Sequence, residues 1–233
     1  MEPSADLSPA GERPDSRRSR RRALVELIVA YVLILIVIWT PRPWQRFFWL
    51  LAVAGVAVIT WRSFEGTSAM GLRAANFFRS LWVVGAALVV ALIAGVIAAR
   101  LHTLKMPAGP LKFIETYCAY AVWSGVQQFL LQCFFLSRFL RLIPNARWAA
   151  LAAAGVFAAA HLPSPILTTV TLIWGFLACL VFLRYRNLYP LAIAHAIFGI
   201  TIAITVPGPV VRNMRVGLGY LSYAHRAHGS LKP

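Results

Sequence analysis

The sequence predicts an all-helical integral membrane protein, and three observations support that prediction. Apolar residues make up 60% of the 233 residues, and the mean hydropathy is +0.70, well above what a soluble domain of this length needs to fill its core. The apolar residues form long runs, each close to the length that a helix needs to cross hydrocarbon. The runs are rich in Ala, Leu and Gly and lack the alternation of barrel strands, so we expect helices.

Seven such runs follow one another along the chain, and the second and fifth are short for a membrane span. The first run continues into Pro41, Arg42 and Pro43 rather than into a small-residue cleavage site, so it indicates an anchor and not a signal peptide. The runs lie near residues 23–39, 47–61, 81–99, 113–136, 148–162, 166–183 and 189–206.

The chain divides into four parts on this basis. Residues 1–22 are rich in Ser, Pro and Arg with almost nothing apolar, and we expect a disordered basic tail. Three transmembrane helices and their loops follow in 23–111, and a membrane core occupies 112–206. The last part, 207–233, is predicted to be an interfacial segment and a tail, which could cap the bundle.

The distribution of positive charge predicts the orientation in the membrane. Alternate loops counted from the N-terminal tail hold 14 Lys and Arg, against 9 in the other loops, so we expect a cytoplasmic N-terminus. An odd number of spans then places the segment from Pro207 outside, and the expected location is the plasma membrane, the inner membrane of a bacterium. Six arginines crowd the sequence before the first span: Arg13, Arg17, Arg18, Arg20, Arg21 and Arg22.

The formal net charge of +16 does not indicate nucleic-acid binding, because the charges are spread through loops between segments suited to lipid. Membrane lipid is the expected partner. Five arginines after the fourth and sixth runs are expected at one membrane face, where anionic lipid heads would hold them: Arg138, Arg141, Arg147, Arg184 and Arg186.

The fourth run concentrates polar side chains in otherwise apolar sequence. On one helix Ser124, Gln128 and Gln132 share a stripe, with Gln127 one step around, and that stripe should face protein rather than lipid. Buried amides need hydrogen-bond partners. We expect those partners to be two histidines that lie within apolar runs, His161 and His195.

Carboxylates are missing from this half of the chain, since no Asp or Glu follows Glu115. Glu115 precedes Gln127 by twelve residues, about 18 Å along a helix, so it belongs at the membrane surface beside Lys112 rather than in the site. Two imidazoles with neutral amides make a poor zinc shell, so no metal or other cofactor is expected. The isolated Cys118, Cys133 and Cys179 suggest neither a disulfide framework nor a zinc site.

These residues resemble the motifs of the CPBP or CAAX-protease-like (Abi) family over roughly residues 113–206. Phe157-Ala-Ala-Ala-His161 matches the second family element, and His195 matches the start of the third, although Gly199 stands where Asn is usual. In the first element Gln127-Gln128 replaces two glutamates, and Gln132 replaces an arginine. Further likeness comes from a run carrying Gly175, Asn187 and Leu188.

The resemblance implies a four-helix core and an intramembrane endopeptidase that acts on membrane-anchored or lipidated polypeptides. In such enzymes a glutamate activates water while histidine and asparagine steady the oxyanion. The matching catalytic positions here are His161, His195, Gln127 and Gln128. Gln132, Phe157, Gly199 and Ser124 are expected to support them.

The departure from the motif leaves alternatives open. A glutamine amide can orient a water but cannot accept its proton, so the usual general-base mechanism is lost. His161 could act as the base instead, although no carboxylate would hold the imidazolium. The rival is a catalytically silent pseudoprotease that binds a peptide, a lipid or a partner helix in an immunity-type or scaffold-type role. A transporter is disfavoured because the two halves of the chain show no matching breaks.

Overall fold

The computed structural model describes residues 14–64, 66–68, 70–74 and 76–229. All regular secondary structure in these ranges is helical, which confirms the predicted fold class. The longer helices are α1 Pro14–Trp39, α2 Arg42–Arg62, α4 Trp82–Arg100, α5 Pro110–Phe129, α7 Ala146–Ala159, α8 Pro165–Tyr185, α9 Tyr189–Thr205 and α11 Gly217–Gly229. Short helices are α3 Phe77–Ser80, α6 Ser137–Leu142, α10 Gly208–Val211, a π-helix over Leu130–Leu136 and a 3₁₀ turn over Arg212–Met214.

Each of the seven predicted runs is largely helical, although the run 113–136 crosses from α5 into the π-helix and the run 148–162 continues past the end of α7. The helices differ in their ability to span a bilayer. Within the described residues four helices are long and apolar enough: Arg17–Trp39, Arg42–Arg62, Phe77–Arg100 and Pro165–Tyr185. Helices α7 and α9 are apolar but shorter, and the 14 residues of α7 extend only about 21 Å against about 30 Å of hydrocarbon. The fold is that of an integral membrane protein in which the shorter helices pack within the bundle.

The first helix begins earlier than the sequence pattern predicts. Residues 14–22 are helical, so the prediction of a disordered tail up to residue 22 is wrong for that stretch, and residues 1–13 lie outside the described residues. Arginine is a good helix former, and the Arg22 Nε atom lies 2.8 Å from Glu26 Oε1 one turn on. The apolar helix therefore extends backwards into the basic sequence.

Small residues let α7 and α8 approach closely. The buried face of α7 includes Ala149, Ala150, Ala153 and Ala154, and it packs against α8. A Cβ at Gly175 of α8 would lie 3.3 Å from the Phe157 ring and 3.4 Å from the Ala154 side chain, so the backbone of α8 lies close to α7 at this level. Helix faces made of small residues favour close packing of helices within a membrane.

A buried ion pair joins α1 to α6. Arg138 Nε donates to Glu26 Oε2 at 3.1 Å, and the Arg138 side chain is only 2% exposed. Its other nitrogens donate to the carbonyl oxygens of Cys133 and Phe134 and to the hydroxyls of Ser63 and Ser137. The expectation that Arg138 lies among lipid head groups is therefore wrong, because its charge is compensated inside the protein.

The C-terminal segment returns to the bundle. The Gly217 N–H donates to the Leu162 carbonyl oxygen at 2.8 Å, and α11 packs against α1. Gly217 has a φ of +53°, and a Cβ there would overlap Ile38 of α1. Only glycine fits both the left-handed backbone and this close approach.

Candidate functional site

A chain of hydrogen bonds links three buried polar side chains of the motif. Gln132 Nε2 donates to Gln128 Oε1 at 3.2 Å, and Gln128 Nε2 lies 3.0 Å from His195 Nδ1. Gln128 is fully buried, and Gln132 and His195 are 1% and 5% exposed. These hydrogen bonds join α5 and the following π-helix to α9. The apolar pattern of the sequence alone does not predict the relative register of these helices.

The direction of these hydrogen bonds determines which ring nitrogen of His195 carries the hydrogen. An amide nitrogen has hydrogens and no lone pair available, so Gln128 Nε2 donates and His195 Nδ1 accepts. A neutral imidazole that accepts at Nδ1 carries its hydrogen at Nε2. His195 is thereby set up as a hydrogen-bond donor at Nε2.

His161 has the opposite tautomer. Its Nδ1 lies 2.9 Å from the carbonyl oxygen of Phe157, and a carbonyl can only accept, so Nδ1 carries the hydrogen. The Nε2 atom of His161 is left with a lone pair. The Phe157 ring packs against both histidines, with its centroid 5.1 Å from that of His161 and 6.0 Å from that of His195.

The other predicted site residues occupy the same region in different ways. Gln127 is half-buried and lines a cavity next to the histidines. Ser124 is fully buried, but its hydroxyl donates to the Tyr120 carbonyl oxygen at 2.9 Å within α5. Gly199 faces Tyr120, whose hydroxyl occupies the space that a side chain at position 199 would need.

An apolar cavity of about 690 Å³ adjoins the two histidines, a volume typical of small-molecule sites. It lies between helices α1, α2, α5, α7, α8 and α9. Its polar lining includes Thr60, Tyr120, Gln127, His161, Thr171 and His195. The two imidazoles thus form part of the polar lining of an otherwise apolar cavity.

No carboxylate occurs among the described residues that line this cavity. Glu115 pairs with Lys112 at 3.2 Å, with side chains 55% and 63% exposed, and so lies at the surface as expected from its position in the sequence. In the described part of the chain no three His, Cys, Asp or Glu side chains cluster as a metal site would require. The cavity can offer a ligand hydrogen-bond donors, acceptors and apolar contacts, all without formal charge.

The fold and the site define a helical membrane protein with a buried pocket lined by amide and imidazole groups. Residues 115–201 match the family model described as type II CAAX prenyl endopeptidase Rce1-like, so this segment is similar to that family. The match confirms the resemblance seen in the motifs, and it runs from α5 into α9. No curated protein and no solved structure matches the chain.

One aromatic residue of the site, Tyr120, was not predicted from the sequence. Tyr120 could have been found, because it precedes Ser124 and Gln128 by one and two turns on the same stripe. The position of Trp174 beside His195, at 6.4 Å between ring centroids, has no signal in the sequence. That the motif residues form a functional site stays a prediction.

Proposed function

We propose that this protein is a non-cleaving member of its family that binds the lipidated end of a membrane-anchored polypeptide in the cavity. The observation that carries the proposal is the uncharged lining, in which the described residues include no carboxylate and His195 is hydrogen-bonded to the Gln128 amide rather than to an acid. Such a pocket retains donors, acceptors and apolar volume for binding. It lacks a group that takes a proton from water in the usual mechanism of the family.

The size and position of the cavity support a lipidated ligand. About 690 Å³ accommodates an isoprenoid or acyl chain, and the lining is dominated by apolar and aromatic side chains. A polypeptide anchored in the bilayer reaches such a chamber laterally, without crossing water. Binding of this kind fits an immunity-type or scaffold-type role in the membrane.

A histidine-based peptidase is the second candidate, and the tautomer of His161 favours it. The lone pair on Nε2 could take a proton from water as the water oxygen bonds to the scissile carbonyl carbon. The His195 Nε2–H would donate to the oxyanion. His161 would then give its proton to the amide nitrogen as the C–N bond breaks, so that one water and one peptide bond yield an acid and an amine.

A single experiment separates the two candidates. The purified protein in lipid vesicles is given a prenylated peptide, and both binding and cleavage are measured for the wild type, His161→Ala and the triple variant Gln127→Glu/Gln128→Glu/Gln132→Arg. The proposal expects the wild type to bind without turnover. Cleavage by the wild type that disappears in His161→Ala would overturn it in favour of the peptidase.

The triple variant shows whether the fold still accepts the usual catalytic groups. Cleavage that appears only in this variant would exclude the peptidase function for the natural chain, because cleavage would then require the glutamates and the arginine that the natural chain lacks. Failure of the wild type to bind the peptide at all would remove the binding proposal. Cys118→Ser, an exposed change on α5 outside the cavity lining, serves as the control for general damage from substitution.

A further inference from the structure

A groove of about 610 Å³ runs between α1 and α2, and the described residues that line it are all different from those of the cavity beside the histidines. Its apolar wall is formed by Val25, Val29 and Ile59. The charged residues that line it are Arg22, Glu26 and Arg62. Because Val25 and Val29 are exposed, the groove opens to the surroundings of the bundle rather than into its core.

The two arginines lie at the same end of the groove. Arg22 Nη2 donates to the carbonyl oxygen of Arg62 at 3.1 Å, which places Arg22 of α1 beside the last turn of α2. From this end the apolar wall continues along α1, and Val29 lies two turns beyond Arg22, about 10 Å along the helix axis. The groove is therefore cationic at the end of the two spans and apolar toward the middle of the bilayer.

Positive charge exceeds negative charge at the cationic end. The carboxylate of Glu26 accepts from Arg22 at 2.8 Å and from the buried Arg138 at 3.1 Å, so one carboxylate is shared by two guanidinium groups. The Arg62 side chain is exposed and forms no ion pair with any residue that the structure describes. An anion at this end would compensate charge that the protein itself leaves in excess.

We propose that this groove binds an anionic phospholipid, with the phosphate at Arg62 and Arg22 and one acyl chain along the apolar wall. Guanidinium groups bind phosphate oxygens through paired N–H donors, and hydrocarbon covers the exposed valines. A zwitterionic lipid would bring a second cation to a site that is already positive. A soluble phosphate would leave the apolar wall uncovered, so the two ends of the groove together favour an anionic lipid.

The lipid would bridge two helices that lie outside the segment 115–201. Both α1 and α2 also contribute to the wall of the cavity, through side chains such as Tyr31 and Val56. Lipid binding in the groove is a separate property from ligand binding in the cavity, because the two sites have different lining residues.

The test measures lipid binding to the purified full chain by native mass spectrometry. Three probes are compared: phosphatidylglycerol, phosphatidylcholine with the same acyl chains, and glycerol phosphate, which has the anionic group without the chains. The wild type should bind phosphatidylglycerol roughly tenfold more tightly than phosphatidylcholine, because the excess positive charge favours the anionic head group. Glycerol phosphate should show no comparable binding.

Three variants locate the bound lipid. Arg62→Gln removes one exposed cation, so binding of phosphatidylglycerol should weaken roughly fivefold while binding of phosphatidylcholine changes little. Arg79→Gln is the matched control, because Arg79 is also exposed and begins the next span at the same membrane face but does not line the groove. Val29→Trp fills the apolar part and leaves the arginines in place, and it should also weaken binding of phosphatidylglycerol. Circular dichroism checks that each variant keeps its helices.

Several outcomes would overturn the proposal. Equal affinity of the wild type for the two lipids, or an equal loss in Arg62→Gln and Arg79→Gln, would mean that lipid gathers at a positive membrane face without a defined site. Binding of glycerol phosphate as tightly as phosphatidylglycerol would indicate a site for a soluble anion. Full retention of phosphatidylglycerol by folded Val29→Trp would show that the acyl chain lies elsewhere. Selective loss of phosphatidylglycerol in Arg62→Gln and Val29→Trp, with Arg79→Gln unchanged, supports the site.

Discussion

At the scale of single residues, the chemistry of the pocket follows from where each hydrogen lies. Gln128 makes His195 an acceptor at Nδ1, and the Phe157 carbonyl makes His161 a donor at Nδ1. The two imidazoles therefore present opposite atoms at Nε2, one with hydrogen and one with a lone pair. A carbonyl oxygen and a water molecule are the groups that match this pair.

Gln128 should contribute more to stability than the adjacent glutamine. Gln128→Leu removes a partner from both His195 and Gln132 and leaves those buried atoms unsatisfied, so we expect a loss of about 1–3 kcal/mol in the free energy of unfolding. Gln127→Leu changes a half-buried side chain and should cost much less. Denaturant titration in detergent micelles measures both, and equal losses would contradict the hydrogen-bond chain.

The contact between Gly199 and Tyr120 gives a second prediction. Gly199→Ala places a methyl group where the Tyr120 hydroxyl lies, and we expect a loss of about 1–3 kcal/mol from overpacking. Gly155→Ala on α7 is the control, because no atom lies within 4 Å of its added methyl group and alanine favours the helix. The same titration should show no loss for Gly155→Ala.

A compensating change tests the assigned cause. Tyr120→Ala removes the ring that Gly199→Ala would meet, so the double variant should lose less than the sum of the two single variants. Strict additivity would show that the Gly199→Ala effect arises from something other than contact with Tyr120.

At the scale of helices, the π-helix over Leu130–Leu136 shows what the sequence could and could not predict. The stripe of Ser124, Gln128 and Gln132 correctly predicted a face buried in protein. A regular helix was assumed throughout, however, and nothing in the apolar pattern signals a change to wider turns at residue 130. Periodicity reports which face is buried, while the register between helices depends on packing that the pattern does not contain.

The ion pair between Glu26 and Arg138 was hidden from the sequence for the same reason. The two residues are 112 positions apart, and each alone resembles a surface charge near the end of a span. Only the packing of α1 against α6 makes them partners. By contrast, the Lys112 and Glu115 pair could be anticipated because three residues separate them on one helix.

Breaking the Glu26 and Arg138 pair should destabilise the contact between α1 and α6. Glu26→Gln leaves the buried Arg138 guanidinium without its carboxylate, and we expect a loss of about 3–5 kcal/mol in the free energy of unfolding. Arg22→Ala removes the exposed partner of the same carboxylate and should cost at most about 1 kcal/mol. A comparable loss in both variants would show that burial of Arg138 does not set the energetic cost.

At the scale of the whole molecule, the cavity is a joint product of two regions. The segment 115–201, which matches the family model, supplies the two histidines and the Gln127 amide of the lining. Tyr31 and Ile34 on α1 and Val56 on α2 supply part of the apolar wall. The motifs therefore predicted the polar lining, whereas the chamber itself depends on helices that carry no motif and could not be foreseen.

The orientation in the membrane is the prediction that concerns the whole chain. We propose a cytoplasmic N-terminus in the plasma membrane of a bacterium, because lysines and arginines are more frequent in the loops on that side. Seven crossings would place the C-terminus on the outer side, even though α7 and α9 are shorter than the hydrocarbon is thick. The short helices make the crossing number the sensitive part of this proposal.

Protease protection of epitope tags at the two ends tests both parts. In spheroplasts, an N-terminal tag should be protected and a C-terminal tag should be cleaved, and inverted vesicles should give the reverse pattern. Protection of both tags in spheroplasts would indicate an even number of crossings, with a failure to span among α5, α7 and α9. Cleavage of the N-terminal tag in spheroplasts would overturn the orientation itself, and it would mean that positive charge does not fix the topology of this chain.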